Sequence, residues 1–196
     1  RFIRCQIDRE HSTVSFGADT TLIRPYPISI AWPPDHAHAP AAQCRENVVR
    51  RFRLAEGTRL AVGVERFDFT KGIPDRFRAV EILLDRFPEW RGRFVLIQVA
   101  APTRSRLPAY QALKVEAETV AQRINDRFRS GSYQPIILVM EHFEPDQITE
   151  LFRASDLCIV SSLHDGMNLV GKEFVAARDD ERGVLVLSTF AGASRE

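Results

Sequence analysis

Between residues 58 and 190 the chain alternates runs that are apolar at almost every position with longer segments whose apolar residues recur three or four apart. The runs are "RLAVGV", "RFVLIQVA", "PIILVM", "DLCIVSS" and "GVLVLSTF". A strand with one face in water alternates apolar and polar residues, so runs of this kind are buried on both faces. Between the first two runs, Ile73, Phe77, Val80, Leu84 and Phe87 share one helical face, with Pro74 near the first turn. After the second, Leu107, Tyr110, Leu113, Ala117, Val120, Ile124 and Phe128 form a longer stripe. Buried strands separated by helices run parallel through crossovers, which predicts an α/β fold: a doubly wound parallel sheet of Rossmann-like type. In such sheets ligands bind at the carboxyl ends of the strands, where helix N-termini present free N–H groups.

Composition narrows the partners. With 27 basic and 26 acidic residues the formal charge is +1, so no general field draws nucleic acid or an anionic membrane, and an anion site has to be local. The cysteines, Cys5, Cys44 and Cys158, are too far apart for a zinc motif or a disulfide framework, which favours a reducing, cytoplasmic setting. No apolar run approaches the roughly 18 to 20 residues of a membrane span. The 196 residues begin without Met and stop just after an apparent strand, so the chain is expected to be a piece of a longer protein. Residues 1–57 are irregular and proline-rich. "ISIAW" reads as one strand there, and "AAQCRENVVRRFRLAEG" as a helix with Ala42, Val48, Val49 and Phe52 on its apolar face, closed by Gly57. His36 and His38 flank an alanine but have no third ligand nearby, so they read as a solvated loop and no metal is expected.

Four strand-to-helix seams fall on one sheet edge: "ERFDFTKG" at 65–72, "APTRSR" at 101–106, "EHFEPDQI" at 141–148 and "LHDGMNLVGKE" at 163–173. Arg66 offers a forked donor and Lys71 a compact ammonium, a pair suited to a diphosphate, with Gly72 allowing close backbone approach. Spacing alone leaves a second reading open, in which both cations pair at the surface with Glu65, Asp68 or Asp75. Likewise Asp165, Gly166 and the N–H groups of Met167, Asn168 and Leu169 can form a ligand loop or merely cap a helix. Glu173 can accept from a polyol or pair with Lys172 or Arg178. No G-x-G-x-x-G, G-x-x-x-x-G-K-[ST] or G-x-S-x-G motif occurs. Ser161, His164 and Asp165 are too close in sequence to converge as a triad.

Taken together, "VERFDFTKGIPDRF", "HFEPDQITELFRASDLCIVSSLHDGMNLVGKEFVAA" and "GVLVLSTFAGAS" resemble the trehalose-6-phosphate synthases, retaining transferases that move glucose from UDP-glucose to glucose 6-phosphate. The likeness covers residues 58–196, with a fainter echo in "IRPYPISI". It implies that 1–57 are the remnant of an N-terminal domain and its connection, and that 58–196 are the UDP-glucose-binding half of a GT-B enzyme, truncated at its C-terminus. Carried over motif by motif, Arg66 and Lys71 hold the donor diphosphate, and Asp165 binds the donor glucose with backbone help from Gly166, Met167 and Asn168. Leu169 and Val170 add backbone contacts near the phosphates, Glu173 takes the ribose hydroxyls, Phe143 and Ile148 sit by the uracil, and Arg104 reaches the acceptor phosphate.

The resemblance further implies front-face transfer without a metal or other cofactor. It leaves the acceptor side to an N-terminal domain outside this chain, so weak donor binding without turnover is expected, and exposed apolar surface makes a homo-oligomer conceivable. Three rivals stay open: a glucosylglycerol-phosphate synthase, which changes only the acceptor; a non-catalytic regulatory module; and a generic Rossmann-like binder of another nucleotide.

Overall fold

A computed structural model describes residues 5–32, 38–103 and 106–195. Its centre is a five-stranded, wholly parallel sheet made of β4 (Arg59–Arg66), β5 (Phe94–Ala101), β6 (Ile136–Val139), β7 (Leu157–Val160) and β8 (Val184–Leu187). The spatial order is β6-β5-β4-β7-β8. β4 to β5 to β6 step outward in one direction; the chain then returns to place β7 on the other side of β4. The order reverses between β4 and β7, and the crevice of a doubly wound sheet lies at that switch.

Helices cover both faces of the central strands; the edge strand β8, expected to be buried on both faces, instead leaves Val184 and Val186 exposed on one. α2 (Ile73–Arg86) and α3 (Pro108–Phe128) pack Ile73, Phe77, Val80, Leu84, Leu113, Ala117 and Ile124 on one face. On the other face, α1 (Ala41–Phe52), α4 (Pro145–Ala154) and α5 (Leu169–Ala177) contribute Cys44, Val48, Leu151, Phe152 and Phe174. α1 lies ahead of residue 58 yet shares this core. Arg45 ties it there, donating to the Ala154 carbonyl at 2.6 Å, to Asp156 at 3.0 Å and to the Thr58 carbonyl.

Several expectations need correction. "ISIAW" forms no strand; instead residues 6–22 make a three-stranded antiparallel meander, β1 (Gln6–Asp8), β2 (Thr13–Phe16) and β3 (Asp19–Leu22). Phe16 pairs with Asp19 across a tight loop at Gly17 and Ala18, where Gly17 takes φ +62°, a conformation glycine adopts without Cβ penalty. α1 stops at Phe52, because Arg53 turns left-handed (φ 53°) and donates its N–H back to Arg50, so Gly57 lies beyond the helix. Its buried face is Cys44 and Val48, with Ala42 exposed. Phe87 and Leu107 cap the ends of their helices and are half exposed rather than completing the stripes. Among the described residues no helix is long and apolar enough to cross a membrane.

Candidate functional site

At the carboxyl end of β4 the chain turns inward at buried Phe67. Extended Asp68 then starts a short 3-10 turn: its Oδ1 accepts from the Thr70 N–H at 3.0 Å and the Thr70 hydroxyl at 2.9 Å, and its Oδ2 from the Tyr110 hydroxyl at 3.1 Å. Gly72 closes the turn in the left-handed region (φ +63°), and a Cβ there would stand 2.7 Å from the Ser161 carbonyl oxygen. The loop after β4 is therefore pressed against the loop after β7. Leu163 donates its N–H to the Thr70 carbonyl at 2.7 Å, and Ser161 Oγ lies within hydrogen-bond reach of the Lys71 and Gly72 carbonyls.

The second loop is pinned from its other side by the segment after β8. Asp165 N–H donates to Phe190, Gly192 N–H to Asp165 and Ala193 N–H to Met167, at 3.1, 3.0 and 2.7 Å. A side chain at Gly192 would collide with the Gly166 carbonyl. Asn168 takes φ 74° and caps α5, its Oδ1 accepting from the Gly171 N–H at 3.0 Å. The first-turn N–H groups of Leu169 and Val170 have no acceptor within the helix.

Between these loops Lys71 Nζ donates to Asp165 Oδ2 at 2.6 Å, each side chain 15% exposed. The same oxygen accepts from Asn168 Nδ2 at 3.1 Å and Ser162 Oγ at 3.3 Å. Burial pushes the Asp165 carboxyl up, but the donors from Lys71, Asn168 and Ser162 outweigh it and hold it below the ordinary Asp value.

The surface-pairing reading of the first seam is not what the fold adopts. Glu65 is engaged by Arg76 at 2.5 Å, Asp68 by Thr70 and Tyr110, and Asp75 by Arg78 at 2.8 Å. Arg66 stands exposed at the strand end with no hydrogen-bond or ion-pair partner among the described residues. Glu173 also has no partner among the described residues: Lys172 reaches Ser29, and Arg178 is taken by Asp180 and by backbone carbonyls; although Glu173 keeps an exposed surface, the protein packed around its carboxyl desolvates it and raises it.

Phe143 is buried in the α1/α4 core, with the Arg51 guanidinium over its ring at 4.5 Å, and Ile148 packs against the same core from α4. Both stand in the segment after β6, on the same edge as the Lys71 and Asp165 loops. Gly166 is exposed, Met167, Leu169 and Val170 half-buried. Arg104 and His36 lie outside the described residues. Among those described, no group of three or more His, Cys, Asp or Glu is gathered as a metal site. His164 is exposed, and the Asp165 carboxylate is bonded to Ser162 rather than Ser161, so no triad forms.

Sequence reasoning missed the polar cluster beneath the site. Arg76, Gln98 and Ser161 are joined with Glu65 under the ends of β4, β5 and β7. The available signal was an arginine three residues after Ile73, close to the apolar stripe of α2.

The parallel Rossmann-like sheet, with two interlocked loops at its switch point, is of the type found in glycosyltransferases, and the chain belongs to glycosyltransferase family 20, which it matches over residues 1–196. It is 39% identical over 184 residues to an α,α-trehalose-phosphate synthase [UDP-forming] of Aspergillus niger, covering 94% of this chain and 38% of that protein. Among solved structures it resembles the UDP-forming α,α-trehalose-phosphate synthase from Burkholderia xenovorans in complex with glucose-6-phosphate, with TM-score 0.81 and 35% identity over 98% of this chain and 43% of that one. An E. coli structure bound with UDP-2-fluoro glucose gives TM-score 0.80 and 32% identity, over 99% of this chain and 43% of that one. The five-stranded domain is thus one Rossmann-like half of a GT-B glycosyltransferase, and the chain spans about two fifths of the length of these relatives.

Proposed function

We propose that the chain is the donor-binding part of a UDP-forming α,α-trehalose-phosphate synthase, which transfers glucose with retention from UDP-glucose to glucose 6-phosphate. The observation that carries this reading is the pair of loops at the β4/β7 switch. They bring Lys71 and Asp165 together and leave Arg66 and Glu173 without hydrogen-bond or ion-pair partners among the described residues. Arg66 and Lys71 bind the donor diphosphate, and the N–H groups of Leu169 and Val170 lie near its oxygens. Asp165, with the backbone of Gly166, Met167 and Asn168, holds the glucose hydroxyls. Glu173 accepts from the ribose, and Phe143 and Ile148 flank the uracil.

In the transfer the bond from glucosyl C1 to the β-phosphate oxygen breaks and C1 bonds to the acceptor hydroxyl oxygen on the same face. The acceptor proton passes to the departing phosphate. Negative charge grows on the leaving diphosphate, so two aimed cations stabilise the transition state more than the ground state. This needs no carboxylate nucleophile, unlike most retaining glycosidases. Arg104 reaches the acceptor phosphate, residues 1–57 connect to an N-terminal domain that completes the acceptor side, and the enzyme works in the cytoplasm, in keeping with three free thiols.

Calorimetric titration of UDP into the chain, without added metal, beside an Arg66→Ala, Lys71→Ala double variant tests the reading. Binding by the wild type that disappears in the variant is expected. Failure of the folded wild type to bind, or undiminished binding by the variant, would sink it. The chain alone is expected to form no trehalose 6-phosphate.

A further inference from the structure

Arg76 is the fourth residue of α2, at the end of its first turn, where Ile73, Phe77, Val80 and Leu84 fill the helix's buried face. Its side chain is 1% exposed. The guanidinium donates through Nη1 to Glu65 Oε1 at 2.5 Å and to Gln98 Oε1, and through Nε to Ser161 Oγ at 3.2 Å. Gln98, fully buried, donates in turn to Glu65 and to the Gly63 and Val99 carbonyls. Ser161 Oγ lies 3.2 Å from the Lys71 carbonyl and 3.1 Å from that of Gly72. Its one proton serves either carbonyl while the oxygen accepts from Arg76.

Stability alone does not account for this cluster. Among the described residues no group accepts from the buried Arg76 Nη2. Replacing a buried ion pair by well-packed apolar side chains of similar volume is often neutral or stabilising. Room for the guanidinium also takes a side chain away from β4, because a Cβ on Gly63 would run into Arg76 Nη1 and Gln98 Oε1. What the cluster does supply is a rigid chain of hydrogen bonds from three strand ends to the backbone carrying Lys71.

We infer that Arg76 and Ser161 are positioning residues for the nucleotide-sugar site: they fix the Lys71 and Gly72 carbonyls, and through them the Lys71 ammonium, without touching the ligand. The ligand named here rests on the donor-site reading above; the geometry stands on the hydrogen-bond chain alone. Arg76 acts through Ser161, Ser161 acts through the Lys71 backbone, and Lys71 meets the diphosphate.

A double-mutant cycle separates this role from general support of the fold. UDP affinity is measured for the wild-type chain, Ser161→Ala, Lys71→Ala and the double variant, with folding checked by circular dichroism. Ser161→Ala is expected to weaken UDP binding about tenfold. In the Lys71→Ala background the same change is expected to cost less than about twofold, since the group it positions is gone. Equal losses in both backgrounds, or none in either, would overturn the inference. A ligand-free readout accompanies the cycle: the carbon-13 titration of the Asp165 carboxylate, which faces Lys71, Ser162 and Asn168 with His164 beside it in the chain. Its midpoint should rise in Ser161→Ala as Lys71 is released, and an unmoved midpoint would overturn the positioning role. Failure of the folded wild type to bind UDP would instead remove the donor reading, leaving the Asp165 titration to decide the positioning by itself.

Discussion

Lys71 and Asp165 lie 94 positions apart in the chain, yet their side chains meet at 2.6 Å beyond the ends of β4 and β7, the parallel neighbours between which the strand order reverses. The contact makes the site sensitive to acid. The Asp165 carboxyl is held below its ordinary value of 3.8, so its contribution to stability is fully present above about pH 5 and is lost as pH falls through the lowered value. Asp165→Asn should therefore cost about 1 to 3 kcal/mol at neutral pH and flatten the acid limb of a stability-against-pH curve. Urea denaturation between pH 2 and pH 7 measures both, and an acid limb identical to wild type would refute the assignment.

Glu173 should behave in the opposite sense. Burial raises its carboxyl, so the penalty for ionising it is absent below its ordinary value of 4.5 and fully present once pH has risen through the raised value. Glu173→Gln is expected to leave neutral-pH stability unchanged or slightly improved, while UDP binding weakens. A variant that lost stability without losing UDP would show the carboxylate to be a structural group.

Gly72 and Gly57 both have positive φ, but they differ in surroundings. Gly57 has nothing within 4 Å of an added Cβ, whereas at Gly72 the Ser161 carbonyl would stand 2.7 Å away. Gly57→Ala should cost only the left-handed penalty, about 1 kcal/mol. Gly72→Ala adds the clash, for a total of about 2 to 4 kcal/mol, and should displace Lys71 as well. Comparable thermal midpoints for the two variants would argue against the tight apposition of the loops.

On the α2/α3 surface, Arg123 and Arg127 reach Glu81 at 2.6 and 2.8 Å and bring its carboxyl down to about 2. Ionised Glu81 supports the fold above pH 4.5, and that support fades as pH falls toward 2. Because both arginines are largely exposed, Glu81→Gln should lower the thermal midpoint at low ionic strength and much less in 1 M salt. A salt-independent difference would mean that the network acts through packing instead.

The parallel sheet was legible because burial on both faces leaves a plain mark: "RFVLIQVA" and "DLCIVSS" admit few other readings. The amino-terminal meander was not, since its strands are short and largely exposed, and prolines downstream drew attention to "ISIAW". The pattern Thr13 to Phe16, then Gly17 and Ala18, then Asp19 to Leu22 was the overlooked hairpin signal. At the site, motif resemblance pointed to Lys71 and Asp165, but no local rule shows that they touch; spacing alone leaned toward surface pairing for Arg66 and Lys71, which the fold does not adopt, and left the Asp165 loop evenly open. Glu65 looked like one more seam charge. Only the tertiary fold shows it buried against Arg76, because its partner arrives from the next helix and their meeting depends on the vacancy at Gly63.

The reversal of strand order also sets a timetable. β4 and its loop are made long before β7, and the Asp165 loop is held in place by backbone bonds to residues 190–193, later still. Closing contacts of such sequence separation are slow to form and come late. A chain emerging from the ribosome can thus shape its apolar layers early, but the Lys71–Asp165 contact cannot settle until residues 190–193 have been made and docked, so its formation would report that the segment after β8 is in place.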